Sequence, residues 1–146
     1  MASAMAWVYW CCPMNTEVVS EEDERREQVR SAAAEGAFVS AAESAAIAAV
    51  GGRSAATYGE ITRDGFAALA HDLRVSLCAG DVFADLGSGL GRSVFQAASD
   101  FGVRRAVGIE MAASRHALAA SKLAGLRDSD VISRCLLVQG DCSDAA

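Results

Sequence analysis

The pattern of apolar and polar positions divides the chain into an N-terminal helical part and a later part of alternating helix-like and strand-like segments. Residues 17–50 begin with a charged run. The rest of this segment is rich in alanine, and apolar residues recur in it at every fourth position. This period predicts helix, with a break near Gly36. Gly51 and Gly52 are expected to end the helical part. Residues 1–16 show no period and receive no assignment.

The later part predicts the alternation of an α/β protein with parallel strands joined by right-handed crossovers. A first helix is expected to begin at Thr62 or Asp64, both suitable N-caps, and to extend to about Leu77. Its core-facing residues are predicted to be Phe66, Leu69, Leu73 and Leu77. The segments after it predict strands at 81–86, 106–110 and 135–139, with helices at about 92–101 and 112–126.

Composition and charge narrow the class of protein. The 146 residues are 52% hydrophobic and 22% charged, which suits one folded domain and argues against disorder along the whole length. A formal net charge of -6 provides no general basic field, so no patch for direct nucleic-acid binding is visible. The apolar opening segment lacks a basic start and is too short to cross a bilayer, so neither secretion nor a membrane partner is predicted.

The five cysteines indicate reduced thiols, because they form no C-x-x-C pair and no zinc-like spacing with the two histidines. We expect most of them to be buried and none to bind a metal. Reduced thiols without a signal peptide are typical of the cytoplasm or the nucleus.

A glycine-rich loop follows the first predicted strand. A strand that runs into Gly87-x-Gly89-x-Gly91 and then into a helix lets the backbone approach a ligand, because glycine has no side chain in the way. Arg92 stands where a nicotinamide-type fingerprint requires a further glycine, which argues against a dehydrogenase. Asp85, two residues before the loop, suits a ligand with a cationic amino-acid end. S-adenosylmethionine has such an end.

Two further acids follow the later strands. Glu110 ends the second strand about 20 residues after the loop, where a carboxylate can accept both ribose hydroxyls of a nucleoside. Asp141 follows the third strand, where an acid can reach the exocyclic amine of adenine. Each acid alone could be a helix cap or a solvated turn. Because parallel strands end at one edge of a sheet, these two acids and Asp85 together predict a site for S-adenosylmethionine.

The segment Thr57-Tyr58-Gly59-Glu60-Ile61, followed by a helix and then by the loop from Asp85 to Gly91, resembles the disruptor-of-telomeric-silencing family of histone-lysine methyltransferases, which lack a SET domain. The resemblance extends from about residue 56 to residue 141. In that family a tyrosine-glycine-glutamate loop closes over the methionine portion of the cofactor. The cofactor-binding residues that the resemblance implies are Tyr58, Glu60, Asp85, Gly87, Ser88, Gly89, Gly91, Glu110 and Asp141.

The resemblance also implies a fold, a partner and a compartment. The fold is that of a class I, Rossmann-like methyltransferase with a parallel sheet, of which this chain would contain the first half. Residues 1–50 would form a partly helical N-terminal segment, and residues 51–146 the cofactor-binding half. The partner would be a nucleosomal core histone in the nucleus. Arg92 and Cys142 depart from the family, which usually has a glutamine and an aromatic residue at these positions.

The catalytic residues stay unknown from the sequence, because the family's asparagine-rich fourth-strand motif would lie after Ala146. The basic segments with which the family holds nucleosomes are not found either. Two other functions remain open: a class I methyltransferase for another protein, an RNA or a small molecule, and an inactive fragment that only binds cofactor. Without a fourth strand beside residues 81–86, we expect this chain by itself to self-associate and to be inactive.

Overall fold

The computed structural model describes residues 21–52, 56–72 and 76–144. Helices and strands alternate in its second part, as an α/β protein requires. The helices are α1 (Glu21–Ala34), α2 (Ala41–Gly51), α3 (Arg63–His71), α4 (Arg92–Asp100), α5 (Ala113–Gly125) and α6 (Ser129–Arg134). The strands are β1 (Val82–Leu86), β2 (Arg105–Glu110) and β3 (Cys135–Gln139), and a short 3₁₀ turn follows at Cys142–Asp144.

The three strands form one parallel sheet in the order β1-β2-β3. Leu86 lies opposite Ile109, and Glu110 lies opposite Gln139, so the carboxyl ends of all three strands meet at one edge. The sequence prediction of an α/β fold with parallel strands is therefore confirmed. The strand bounds agree with the predicted ones to within one residue.

An aromatic cluster joins α3 and α4 to one face of the sheet. The ring of Phe66 packs edge to face against Phe83 of β1 at 5.4 Å and against Phe101 at 5.9 Å, both measured between ring centroids. Val94 and Val103 are fully buried beside it. Because side chains alternate along a strand, the neighbours of Phe83 point to the opposite face, where large apolar residues stay exposed.

Helix α3 ends earlier than the sequence predicts. It stops at His71, and the backbone N–H of Asp72 bonds back to the carbonyl of Leu69. Leu77 still reaches the core, but from a non-helical segment whose N–H donates to the carbonyl of Ala70. Leu69 is half exposed, so its predicted place on the core face is wrong. Leu73 lies outside the described residues.

Helix α6 is absent from the sequence prediction. The Asp128 carboxylate caps it by accepting the N–H groups of Asp130 and Val131 at 2.9 and 3.2 Å. Val131 is buried in the core. Six residues are too few for an apolar period, so only the capping aspartate could have indicated this helix.

The predicted break near Gly36 is confirmed, since α1 ends at Ala34 and α2 begins after it. Both helices are tied to α5. Glu35 pairs with Lys122, and Glu43 accepts the N–H of Ser114 at 2.9 Å. Helix α5 has no side-chain cap of its own, because Ala112 occupies its N-cap position. The Glu43 carboxylate, although distant in sequence, therefore accepts one of the backbone N–H groups that have no partner within α5.

Acid should release α1 and α2 from the sheet-containing part. The hydrogen bond from Lys122 lowers the pKa of Glu35, and the hydrogen bond from the Ser114 backbone lowers the pKa of Glu43, both from an ordinary value of 4.5. A carboxylate with a lowered folded pKa stabilises the fold fully above its unfolded pKa and loses that contribution as pH falls through the folded pKa. Hydrogen-exchange protection in α1 and α2 should therefore fall as the pH drops below the ordinary carboxyl pKa value of 4.5, before protection in β1 and β2 falls.

A Glu43→Gln variant should show reduced protection at the start of α5 already at neutral pH. The matched control is Glu27→Gln on α1, because Glu27 forms only an exposed ion pair with Arg30 at 3.6 Å. Equal protection of α1, α2 and the strands across the acid range would contradict the prediction.

Candidate functional site

The glycine loop is fastened to the end of β2. The N–H groups of Gly87 and Ser88 both donate to the carbonyl of Ile109, at 2.8 and 3.0 Å. The N–H of Gly91 then donates to the carbonyl of Ser88 at 2.7 Å, and α4 begins at Arg92. These bonds hold the loop at the edge of the sheet where the strands end. A parallel α/β sheet binds its ligands at this edge.

The tyrosine-glycine-glutamate loop lies directly against the glycine loop. A Cβ atom added at Gly89 would come within 2.8 Å of the Tyr58 ring. Gly89 has a φ of +52° as well, so both its backbone and the close approach of the ring require glycine. Two motifs that are separate in sequence thus meet in space.

Glu110 is the most buried carboxylate of the site, with 5% of its surface exposed. Its Oε2 accepts the N–H of Gly89 at 2.7 Å, and its Oε1 accepts the N–H of Ala112 at 2.8 Å. Arg115 lies beyond Oε1, with Nη1 at 3.8 Å. A carboxylate oxygen can accept two hydrogen bonds, so each oxygen keeps capacity for one further donor, such as a hydroxyl group.

Tyr58 and Glu60 hold polar atoms that no described residue satisfies. Tyr58 Oη and Glu60 Oε1 are buried, and neither has a hydrogen-bond partner. Burial raises the pKa of Tyr58 above its ordinary value of 10.0, and the nearby Glu60 carboxylate raises it further. The Tyr58 hydroxyl and the Glu60 carboxylate do not meet with the geometry of a hydrogen bond. An unsatisfied buried polar atom costs about 1–3 kcal/mol. A ligand that brings an ammonium and a carboxylate group would satisfy both atoms.

The second oxygen of Glu60 is held by Arg92. Arg92 Nε lies 3.1 Å from Glu60 Oε2, and the same guanidinium pairs with Glu35 at the end of α1. Arg92 therefore ties the Tyr58-Gly59-Glu60 loop to the end of α1.

Asp85 and Asp141 stand at strand ends, as the sequence predicts, and each accepts a hydrogen bond from a residue nearby in sequence. Asp85 accepts a hydrogen bond from the hydroxyl of Ser93 on α4. Asp141 accepts the N–H of Ser143 at 2.8 Å, and this backbone bond lowers the pKa of Asp141. The N–H of Gly140 donates to the carbonyl of Glu110 at 3.0 Å, which places Asp141 close to the end of β2.

Sequence reasoning overlooked two residues of this region. Gly108 lies inside β2, where an added Cβ would come within 2.7 Å of Ser88 Oγ and 2.9 Å of Val94. The side chain of Ser88 thus packs on the sheet, and a glycine within a strand was the signal for that close approach. Arg115 is 3% exposed, and nothing in its local sequence distinguishes it from a solvated helix arginine.

A cavity of about 1010 Å³ lies beside the Tyr58-Gly59-Glu60 loop. It is lined mainly by α1, this loop, α4 and residues 126–128 and 131. Ser93, the partner of Asp85, also lines it, whereas Gly87 and Glu110 do not. The cavity therefore adjoins the Tyr58-Gly59-Glu60 loop rather than Glu110.

Within residues 21–52, 56–72 and 76–144, no three His, Cys, Asp or Glu side chains gather as metal ligands would. No helix in these ranges is both long and apolar enough to cross a bilayer. Cys78 and Cys142 are free and exposed, and only Cys135 is buried, so the expectation of mostly buried thiols is wrong for the described cysteines.

A parallel sheet, a glycine loop after β1 and acids after successive strands define an α/β fold of the class I S-adenosylmethionine-dependent methyltransferase type. The model of the family described as Histone methylation protein DOT1 matches residues 40–135. The match covers more than half of the chain, and the chain therefore belongs to the DOT1 family.

Part of the chain is also similar to solved structures. The glycopeptide N-methyltransferase MtfA complexed with sinefungin has 29% sequence identity and a TM-score of 0.45, over 57% of this chain and 31% of that chain. The same enzyme complexed with S-adenosyl-L-methionine has 28% identity and a TM-score of 0.45, over 58% and 32% of the two chains. The matched part thus spans about a third of that enzyme's length. No curated protein matches the sequence significantly.

Proposed function

We propose that this chain contains the cofactor-binding part of an S-adenosylmethionine-dependent histone-lysine N-methyltransferase that acts on nucleosomal core histone in the nucleus. Membership of the DOT1 family supports the acceptor and the compartment. The observation that carries the cofactor assignment is the Glu110 carboxylate. It is buried at the end of β2 and bonded to the glycine loop, and its acceptor capacity is only partly used.

Glu110 is assigned to the ribose. Its two oxygens face the N–H groups of Gly89 and Ala112, and these bonds prevent the carboxylate from rotating. A fixed carboxylate with one free lone pair on each oxygen matches two neighbouring hydroxyl groups. Asp141, which follows β3, is assigned to the adenine amine.

Tyr58, Glu60 and Asp85 are assigned to the amino-acid end of the cofactor. Glu60 Oε1 can accept a hydrogen bond from an ammonium group, and Tyr58 Oη can donate to a carboxylate. The raised pKa of Tyr58 keeps its hydroxyl protonated, as this donor role requires. Gly87, Gly89 and Gly91 would bring the loop backbone close to the ligand.

The chemical requirement on the protein is mainly positional. S-adenosylmethionine supplies a methyl group on a positively charged sulfur, which is already activated for transfer to an amine. The residues above hold both ends of such a molecule, and positioning of reactants accounts for a large part of the barrier reduction in this kind of reaction.

A Glu110→Ala variant tests the cofactor assignment. We expect S-adenosylmethionine affinity, measured by calorimetry, to fall by about 1–3 kcal/mol, or roughly 5- to 150-fold, because ribose hydroxyls lose a charged partner. The matched control is Asp81→Ala, since Asp81 also accepts a backbone N–H, that of Cys78 at 2.8 Å, but precedes β1 at the other end of the strand. Unchanged affinity in the folded Glu110 variant would remove this residue from the site.

The acceptor is tested separately with labelled cofactor. Transfer to a histone lysine within nucleosomes supports the proposal. Transfer to RNA, another protein or a small molecule instead would identify a different class I methyltransferase. Cofactor binding with no transfer to any of these would favour a chain that only binds cofactor.

A further inference from the structure

From its contacts we infer that Arg115 is a positioning residue of the cofactor site: it orients the ribose acid Glu110 and holds the Tyr58 ring against the glycine loop. The inference rests on the proposed cofactor site and adds to it a residue of α5. Arg115 would touch no part of the cofactor. It would act through the two residues that do.

The guanidinium group of Arg115 is anchored by two backbone carbonyls. Its Nε donates to the carbonyl of Ala37 at 2.7 Å, and its Nη2 donates to the carbonyl of Ala56 at 2.7 Å. Ala37 lies in the turn between α1 and α2, and Ala56 lies two residues before Tyr58. Because the guanidinium is planar and rigid, two such bonds fix the orientation of the whole group.

The remaining surface of the guanidinium faces the site. Nη1 lies 3.8 Å from Glu110 Oε1, and the central carbon lies 4.8 Å from the centre of the Tyr58 ring. The Tyr58 ring therefore lies against both Arg115 and Gly89. One cation thus contacts both the acid assigned to the ribose and the tyrosine assigned to the amino-acid end.

Burial makes this cation important for Glu110. The side chains of Arg115 and Glu110 are only 4% and 6% exposed. A buried carboxylate stays ionised only when charges or hydrogen bonds compensate for the loss of water. Two backbone N–H groups and Arg115 supply that compensation. Removing Arg115 leaves Glu110 held by the two backbone N–H groups alone, and the carboxylate should then accept the ribose hydroxyls less well.

A purely structural arginine would behave differently. The bonds to Ala37 and Ala56 also attach the N-terminal helices to α5, so loss of Arg115 lowers stability under either role. A structural role predicts equal weakening for all nucleoside ligands. A positioning role predicts a specific loss of sensitivity to the ribose hydroxyls.

The test compares two ligands by calorimetry: S-adenosylhomocysteine and its 2′-deoxy analogue. The unsubstituted chain should bind the first about tenfold more tightly, since one hydroxyl loses its charged acceptor in the second. In Arg115→Met this ratio should fall to about one. Arg115→Lys keeps the charge but lacks the planar fork. Its affinity ratio between the two ligands should be smaller than that of the unsubstituted chain by a factor of about three or more. If the Met variant does not fold, the affinity ratio of the Lys variant tests the positioning role.

Arg134→Met is the matched control. Arg134 also donates to two backbone carbonyls, those of Gly102 and Val103, and it lies outside the site on α6. Its loss should lower the melting temperature and leave the ligand ratio unchanged. A folded Arg115 variant with the unaltered ratio would overturn the inference and leave the cofactor site standing. An unsubstituted chain that does not distinguish the two ligands would instead remove the ribose role of Glu110, and this inference with it.

Discussion

Replacing Gly87 with valine is expected to abolish S-adenosylmethionine binding while the chain stays folded. Gly87 has a φ of +91°, and no heavy atom lies within 4 Å of the position that a Cβ would take. The protein leaves this space open directly after β1, where the proposed cofactor would lie against the backbone. A branched side chain would fill it. We expect calorimetry to detect no binding.

A valine at positive φ also strains the backbone by about 1–2 kcal/mol, so the control must carry the same strain. Gly52→Val meets this condition. Gly52 has a φ of +85° and open space around its Cβ position, and it lies at the C-cap of α2, outside the proposed site. Both variants should lose similar thermal stability, and only the Gly87 variant should lose the cofactor. Equal affinity in the two variants would show that the loop does not contact the ligand.

The 146-residue chain by itself is expected to self-associate through one face of its sheet. Val82 and Leu86 of β1 are 53% and 64% exposed, and Leu136 and Val138 of β3 are exposed on the same face. Strand β1 pairs with β2 alone within the described residues, so the outer backbone groups of β1 are open as well. An exposed apolar face next to an open strand edge favours association with another chain.

Light scattering should therefore report a mass above that of the 15.1 kDa monomer. A Val82→Lys/Leu136→Lys double variant should shift the mass toward the monomer, because charges on this face oppose pairing. Val50→Lys is the control, since Val50 is 71% exposed on α2 and away from the sheet. A monomeric unsubstituted chain would contradict the prediction, as would association that Val50→Lys relieves equally.

The elements that could be predicted from sequence are those with a strong local signal. The three strands are short apolar runs next to glycine or charged residues, and their predicted bounds match the structure closely. The end of α3 could not be predicted, because Leu77 continues the helical spacing in sequence yet reaches the core after the chain has turned at Asp72. Helix α6 was too short to have a period and is stabilised by a cap and one buried residue, Val131.

The residues of the candidate site also divide into those with a local sequence signal and those without one. The glycine loop and the acids Asp85, Glu110 and Asp141 were predicted from residue type and spacing, and the structure places each at the expected strand end. The tyrosine-glycine-glutamate loop was included only through the family resemblance. Its contact with the glycine loop is visible in the packing of the Tyr58 ring on Gly89.

The α/β pattern, the glycine loop and the order of the acids can be predicted from sequence, because period, glycine content and strand-end position are local properties of a chain. Which groups meet depends on the packing of the folded chain. Arg115 is bonded to the carbonyls of Ala37 and Ala56, and Glu43 caps a helix that begins at Ala113. Backbone carbonyls and N–H groups are the same at every residue. Their role as partners therefore depends on how distant segments pack, which no local pattern records.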